Sequence, residues 1–349
     1  MSDMPSVVDA RPLTRVAFVG LGAMGSHLAR HLHRFSQEHI GRAAAVWNRS
    51  PEKAMLHAEA NGTEFARTLG ELQDVSVLCL CLPTTEHVEQ VLNDVPLQPG
   101  SLVIDCTSGD PVHTQALAAR LLSERGIRFT DAPVSGGPTG AAAGTVTSMV
   151  GGAPEDVAEA MPLIKAWSKK VVHCGPVGAG DATKSVNNVL NSAHLLLATE
   201  GMVSYPKPKP KPNPNPTPTP TPTPNPDPNP NRNRNPNPNP NPNQLALKQY
   251  GVDPATALEA INGGSGMSLQ TTRLPDNVLS RKFAYGFALG LMHKDCRIAG
   301  SLVKSQTPSA TLIPRVVELL GEAEELVGPE ADYTQIAQLL EDRAGFTLG

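Results

Sequence analysis

"RVAFVGLGAMGSHLARHL", residues 15–32, sets the architecture of the first half of the chain. An apolar run from Val16 to Val19 reads as a buried strand. It passes through Gly20, Gly22 and Gly25 and continues with the apolar spacing of a helix. Strand, glycine turn and helix at this spacing form a dinucleotide-binding fingerprint. Gly20 permits the tight turn, Gly22 lets backbone approach a pyrophosphate, and Gly25 lets the helix pack on the strand. Ala23 and Met24 complete the turn, and a phosphate sits on the N–H groups at the helix start.

The next strand, "AAAVW" (43–47), runs into "NRSPEK" (48–53). An NAD site usually carries Asp or Glu at this strand end, gripping the ribose 2′-OH. Here Asn48 stands there and Arg49 follows. A guanidinium suits a 2′-phosphate, and no carboxylate is present to repel one. Ser50 can cap the following helix, with Pro51 in its first turn. Asn48, Arg49 and Ser50 are therefore expected at the cofactor, with NADP preferred over NAD.

The doubly wound rhythm continues. "VSVLCLCLP" (75–83) reads as a strand buried on both faces, with a helix from about Thr85. "SLVIDCTSG" (101–109) is another strand, "PVHTQALAARLLSERG" (111–126) its helix, and "IRFTDAP" (127–133) the next strand. Alternation with short connections means a parallel sheet. Glycines and a serine then cluster in "DAPVSGGPTG" (131–140), where backbone N–H groups around Ser135, Gly136 and Gly137 can converge on a carboxylate. A second helix is expected near Asp181, with Lys184 and Asn188 one turn apart on one face. A desolvated helix lysine can exchange a proton with an alcohol oxygen.

The remaining features bound the function. The chain has 349 residues, a formal net charge of −4 and 40% hydrophobic residues. No dense basic patch speaks for nucleic acid, and no apolar run reaches the roughly 18 residues of a membrane span. The first fifteen residues carry acids and make a poor transit peptide, so the cytoplasm is the expected compartment, with the mitochondrion as the alternative. Cys79, Cys81, Cys106, Cys174 and Cys296 form no CxxC pair and read as reduced thiols. His27 with His31, and His293 beside Lys294, lack companion acids or cysteines and read as packing or surface residues; no metal is expected.

Residues 206–243 alternate X-Pro, broken only at "NRNRN". Proline blocks helix and central strand alike, so the segment reads as a polyproline or disordered insert. Its prolines are never three apart, which removes an SH3-type docking face. Closing a loop of about 40 residues costs only a few kcal/mol, so folding is expected to survive with reduced stability.

"GLGAMG", "DAPVSGG", "GAGDATKSVNN" and "FALGLMHKD", in this order from residue 20 to 295, resemble the β-hydroxyacid dehydrogenase family, whose best-known member is 3-hydroxyisobutyrate dehydrogenase. The resemblance implies an NAD(P)-dependent oxidoreductase that transfers a hydride between its cofactor and a small 3-hydroxy acid. It implies Lys184 as catalytic acid/base and Asn188, Ser135, Gly136 and Gly137 as substrate-binding residues. It also implies that Leu82, Pro83, Thr107 and Lys294 line the cofactor's nicotinamide end. Thr107-Ser108 stands where the family commonly has Ser-Thr; the hydroxyls remain. Family motifs lie on both sides of the prolines, so the chain reads as one enzyme interrupted. The expected fold is α/β: a Rossmann-type doubly wound sheet over 14–178, an all-α domain over 179–349, and the Pro-rich insert at 204–243 within it. A homodimer or homotetramer is expected. Rival readings are an NADPH-dependent reductase of glyoxylate or succinic semialdehyde, and a catalytically impaired interaction protein retaining the fold. Imine reduction is disfavoured because relatives with that activity usually replace the lysine.

Overall fold

The computed structural model describes residues 12–202, 253–345, 347 and 348. The insert expected at 204–243 lies outside the described residues. In the first half β1 (Val16–Val19) leads to α1 (Gly25–His39), then β2 (Ala45–Trp47), α2 (Pro51–Asn61), β3 (Glu64–Phe65) and β4 (Val77–Leu80). α3 (Thr85–Asp94), β5 (Leu102–Asp105), α4 (Pro111–Arg125) and β6 (Arg128–Asp131) follow. The strands lie in the order β3-β2-β1-β4-β5-β6, all parallel. β1 is flanked by β2 on one side and β4 on the other, so the strand order reverses there. Ligands of open α/β sheets bind outside the strand ends at such a point.

Local chemistry sets the helix starts. Thr84 accepts from the His87 N–H, and Asp110 accepts from the N–H groups of Val112 and His113 at 2.9 and 3.1 Å. Prolines occupy the first helical positions of α2 and α4, where no donor is lost. Strands β1, β4 and β5 are buried at every residue, as parallel strands covered on both faces must be. Phe18, Leu28, Leu32, Ile104 and Trp167 pack on one face. Leu78, Leu80, Val88, Leu117 and Leu121 pack on the other.

Beyond β6 the glycine-rich stretch forms ordered elements: β7 (Val134–Ser135), α5 (Gly137–Ala143), β8 (Val146–Gly151), α6 (Pro154–Lys165) and β9 (Ser168–Gly175). β8 pairs antiparallel with β6 and β7 and parallel with β9, so the sheet extends past its parallel part. The described residues after β9 form helices: α7 (Ala179–Met202), α8 (Pro254–Asn262), α9 (Leu269–Leu274), α10 (Leu289–Gln306), α11 (Leu312–Val327) and α12 (Ile336–Ala344). The chain thus combines a Rossmann-like domain with an all-helical C-terminal part. By compactness, residues up to 194 together with 283–336 form one unit, and 195–282 with 337–349 a second. Among the described residues no helix is long and apolar enough to cross a membrane.

Candidate active site

The glycine turn after β1 is shaped by contact. A Cβ on Gly20 would stand 2.3 Å from the Cys81 carbonyl oxygen, and one on Gly25 would stand 1.9 Å from the Gly20 oxygen. Gly20 also takes a left-handed φ of +97°. These two positions admit only glycine. Gly22 differs: a Cβ there would meet nothing within 4 Å, and Gly22 and Ala23 are exposed while Met24 is half-buried. The start of α1 is therefore open to a ligand, at the helix end whose dipole favours a phosphate. This opening, over backbone too close for any other side chain, fits the pyrophosphate of a nicotinamide dinucleotide.

Asn48 stands at the end of β2, where it braces the turn. Its Oδ1 accepts from the Leu21 N–H at 3.0 Å, and its Nδ2 donates to the Ser50 carbonyl at 3.0 Å. Its amide is thus engaged with backbone. Arg49 and Ser50 are exposed beside it, together with Lys53 on the first turn of α2, a cation the sequence reading passed over.

The ends of β4 and β5 are tied together. The Leu82 N–H donates to Thr107 Oγ1 at 3.0 Å, and the Thr107 N–H to Asp105 Oδ1 at 2.9 Å. Lys294 on α10 donates to the carbonyls of Pro83 and Ser108 and pairs with Asp295 at 3.0 Å. The four residues expected at the nicotinamide end, Leu82, Pro83, Thr107 and Lys294, therefore converge.

Lys184 and Asn188 lie on α7, both buried. Lys184 Nζ donates to Asn188 Oδ1 at 3.0 Å, and Asn188 Nδ2 donates to Asp295 Oδ2 at 2.5 Å. Burial lowers the Lys184 pKa below the usual lysine range; the Asp295 carboxylate opposes this and the Lys294 charge reinforces it. Lys184 and Lys294 thus connect through Asn188 and Asp295. Asp295 closes the "FALGLMHKD" stretch but was given no role from the sequence; it lies 107 residues from Asn188.

Gly136 and Gly137, at the start of α5, have φ of +148° and +68°. The turn they make is reached from α7: Asn187 Nδ2 donates to Ser135 Oγ at 3.4 Å and to Asn188 Oδ1 at 3.0 Å. A serine oxygen that accepts from Asn187 keeps its own proton for another acceptor. Asn187 was not singled out from the sequence, though it adjoins Asn188. His27 and His31 lie on α1, and His31 Nε2 faces the Ala141 and Ala142 carbonyls at 3.1 and 3.3 Å. Among the described residues no group of three or more His, Cys, Asp or Glu is placed to hold a metal ion.

Two family models match the chain. The NAD-binding domain of 6-phosphogluconate dehydrogenase matches residues 15–175, and the NAD-binding domain of NADP-dependent 3-hydroxyisobutyrate dehydrogenase matches 244–340. Together with the open glycine turn they define an NAD(P)-dependent oxidoreductase. The NAD-dependent L-serine dehydrogenase of Pseudomonas aeruginosa is 35% identical over 197 residues, which cover 54% of this chain and 63% of that protein. The 2-(hydroxymethyl)glutarate dehydrogenase of Eubacterium barkeri is 28% identical over 291 residues, 82% of this chain and 81% of that one. The solved 3-hydroxyisobutyrate dehydrogenase of Mycobacterium tuberculosis with L-serine shares the fold, at a TM-score of 0.72, 24% identity, and coverage of 94% of this chain and 99% of that one. Both matches and these relatives support the β-hydroxyacid dehydrogenase family.

Proposed function

We propose that the chain oxidises the alcohol of a small 3-hydroxy acid reversibly, in the manner of a 3-hydroxyisobutyrate dehydrogenase, with NADP preferred over NAD. The observation that carries this reading is the buried Lys184 amine held on Asn188 with its pKa lowered by burial. In this reading Lys184 takes the hydroxyl proton of the acid, and returns it in the reverse direction. Asn188, held by Asp295, steadies the same oxygen. Ser135 and the N–H groups of Gly136 and Gly137 hold the substrate carboxylate. Gly20, Gly22, Ala23, Met24 and Gly25 form the pyrophosphate turn, with Arg49, Ser50 and Lys53 toward a 2′-phosphate. Leu82, Pro83, Thr107 and Lys294 are assigned to the nicotinamide end. The bound nicotinamide supplies the hydride acceptor or donor. The domain division that goes with this reading places 14–178 with the cofactor and 179–349 as the helical dehydrogenase domain, with α7 and α10 supplying Lys184, Asn188 and Lys294.

Asn48 keeps a supporting part here, because both ends of its amide are engaged with the turn it stands beside. The NADP preference rests on Arg49 and Lys53 and on the absence of a carboxylate at the end of β2.

The test is turnover followed at the nicotinamide absorbance, with NADP and NAD, over a panel of short hydroxy acids and aldehydes. Lys184→Ala is expected to lower kcat at least about 10²-fold while cofactor affinity stays within twofold. Near-normal turnover of that variant would exclude Lys184 as the acid/base.

A further inference from the structure

Residues 283–288 lead into α10 as an irregular strap, with left-handed φ of +44° at Phe283 and +87° at Gly286. Phe283, Tyr285 and Phe287 are half-buried while Ala284 and Gly286 are exposed. The strap is held by the segment that follows α11. The Gly286 N–H donates to Asp332 Oδ2 at 2.7 Å, and the Tyr333 N–H donates to the Phe287 carbonyl at 2.8 Å. Tyr333 is fully buried and meets the rings of Tyr285 and Phe287 edge-on, with centroids 5.0 and 6.3 Å apart. Asn191 of α7, one turn beyond Asn187, donates to the Tyr333 hydroxyl at 3.4 Å.

This packing presses Tyr285 onto the glycine turn. A Cβ placed on Gly137 would stand 3.1 Å from the Tyr285 hydroxyl oxygen and 3.3 Å from ring carbon Cζ. The next residue repeats the contact: a Cβ on Gly286 would stand 3.2 Å from Pro138 Cγ. The phenol hydroxyl therefore sits against the residue whose N–H is assigned to the substrate carboxylate.

We propose that Tyr285 is a specificity-determining residue, its hydroxyl donating a hydrogen bond to the substrate carboxylate and its ring limiting what extends beyond that carboxylate. The inference rests on the reading of Ser135–Gly137 as a carboxylate site and names a further member of it. A carboxylate offers about four lone-pair positions, enough for the Ser135 and Tyr285 hydroxyls and the turn's N–H groups together. The bond is charge-assisted, so its loss should be felt in affinity. The ring is locked by Tyr333 and gives the site a rigid wall, which favours short acids over long ones.

The experiment separates binding from turnover. Isobutyrate, which has no alcohol to oxidise, is titrated calorimetrically into the full chain in the presence of NADP, with isobutyramide as the uncharged control. Tyr285→Phe keeps the ring and removes the hydroxyl. It is expected to weaken isobutyrate about tenfold, to change isobutyramide less than twofold, and to leave NADP affinity unchanged. For an oxidised hydroxy acid the same variant should raise KM with kcat held within twofold, a split that a merely structural role would not produce. Equal affinity of wild type and variant for isobutyrate overturns the inference, as does an equal loss for acid and amide, or no isobutyrate binding by the wild type. Absent turnover of every hydroxy acid, with isobutyrate binding still dependent on the Tyr285 hydroxyl, overturns the dehydrogenase reading and sustains the role of Tyr285.

Discussion

Asp295 shows how a single carboxylate sets the working range of a lysine it does not touch. Its Oδ2 accepts from Asn188, its Oδ1 faces Lys294, and its charge raises the Lys184 pKa against the lowering by burial. Replacing it by asparagine keeps an oxygen for Asn188 and removes the charge. Lys184 then feels desolvation and the Lys294 cation without opposition, so its pKa falls further. With Lys184 as the proposed acid/base, the neutral amine is the form that takes the proton in the direction of alcohol oxidation. The rise of kcat/KM with pH should therefore move to lower pH in Asp295→Asn, by on the order of one unit. A pH–rate profile measures this, and a shift to higher pH contradicts the assignment. At this scale the sequence disclosed what short-range sterics impose. The glycines of 20–25 are legible from their spacing, which the left-handed φ at Gly20 and the contact of Gly25 with the Gly20 oxygen impose locally; the Cys81 carbonyl that also bars a side chain at Gly20 is a tertiary neighbour. Lys184 and Asn188 are legible because one helical turn joins them. Asp295 and Tyr285 are not, because their partners, Asn188 and Gly137, are brought to them by tertiary folding over more than a hundred residues.

The elements meet at a group of buried carboxylates. Asp105 ends β5 and Asp131 ends β6, facing one another in register, and Asp181 lies in the first turn of α7. Asp131 accepts from the N–H groups of Gly178 and Asp181 at 2.7 and 2.9 Å. Asp181 accepts from the Gly109 N–H at 3.0 Å and from Thr114 Oγ1 at 2.8 Å. These bonds fix the start of the helix that carries Lys184 to the ends of two strands. Burial raises all three pKa values, helped in Asp181 by its neighbours' charges, and pushes Asp105 up to about 7. The folded chain holds a proton on Asp105 that the unfolded chain releases near pH 4. The associated stability is complete below about pH 4 and is lost as pH rises from there through about 7. Asp105→Asn stays neutral and can still accept from Thr107, so it should stabilise the fold at pH 8 by on the order of 1 kcal/mol or more, and much less at pH 4. Thermal melts at the two pH values decide this; equal effects at both would remove Asp105 as the cause. The parallel strands were legible from their apolar runs. β7 was not, because two residues, Val134 and Ser135, are too few to show a period of two.

For the whole molecule, the two family matches end at residue 175 and resume at 244. The interval holds both α7 and the X-Pro tract, so the lysine helix and the interruption share the stretch that neither match covers. The tract lies outside the described residues, and the cost of closing it is one of chain entropy. Removing residues 204–243 shortens the loop to be closed and should raise Tm by a few degrees, as a gain of about 1 kcal/mol does in a chain of this size. Calorimetry of the shortened chain checks it; an unchanged or lower Tm contradicts it. The order of the motifs on both sides of the tract was readable because each motif is a local pattern.

The Lys294 ammonium donates to the Pro83 and Ser108 carbonyls and lies 3.0 Å from the Asp295 carboxylate. Its two carbonyl partners belong to the backbone just beyond β4 and β5, so one cation rivets two strand ends together. A ligand that drew either bond away would loosen that rivet, and the lost charge-assisted hydrogen bond would count against its affinity.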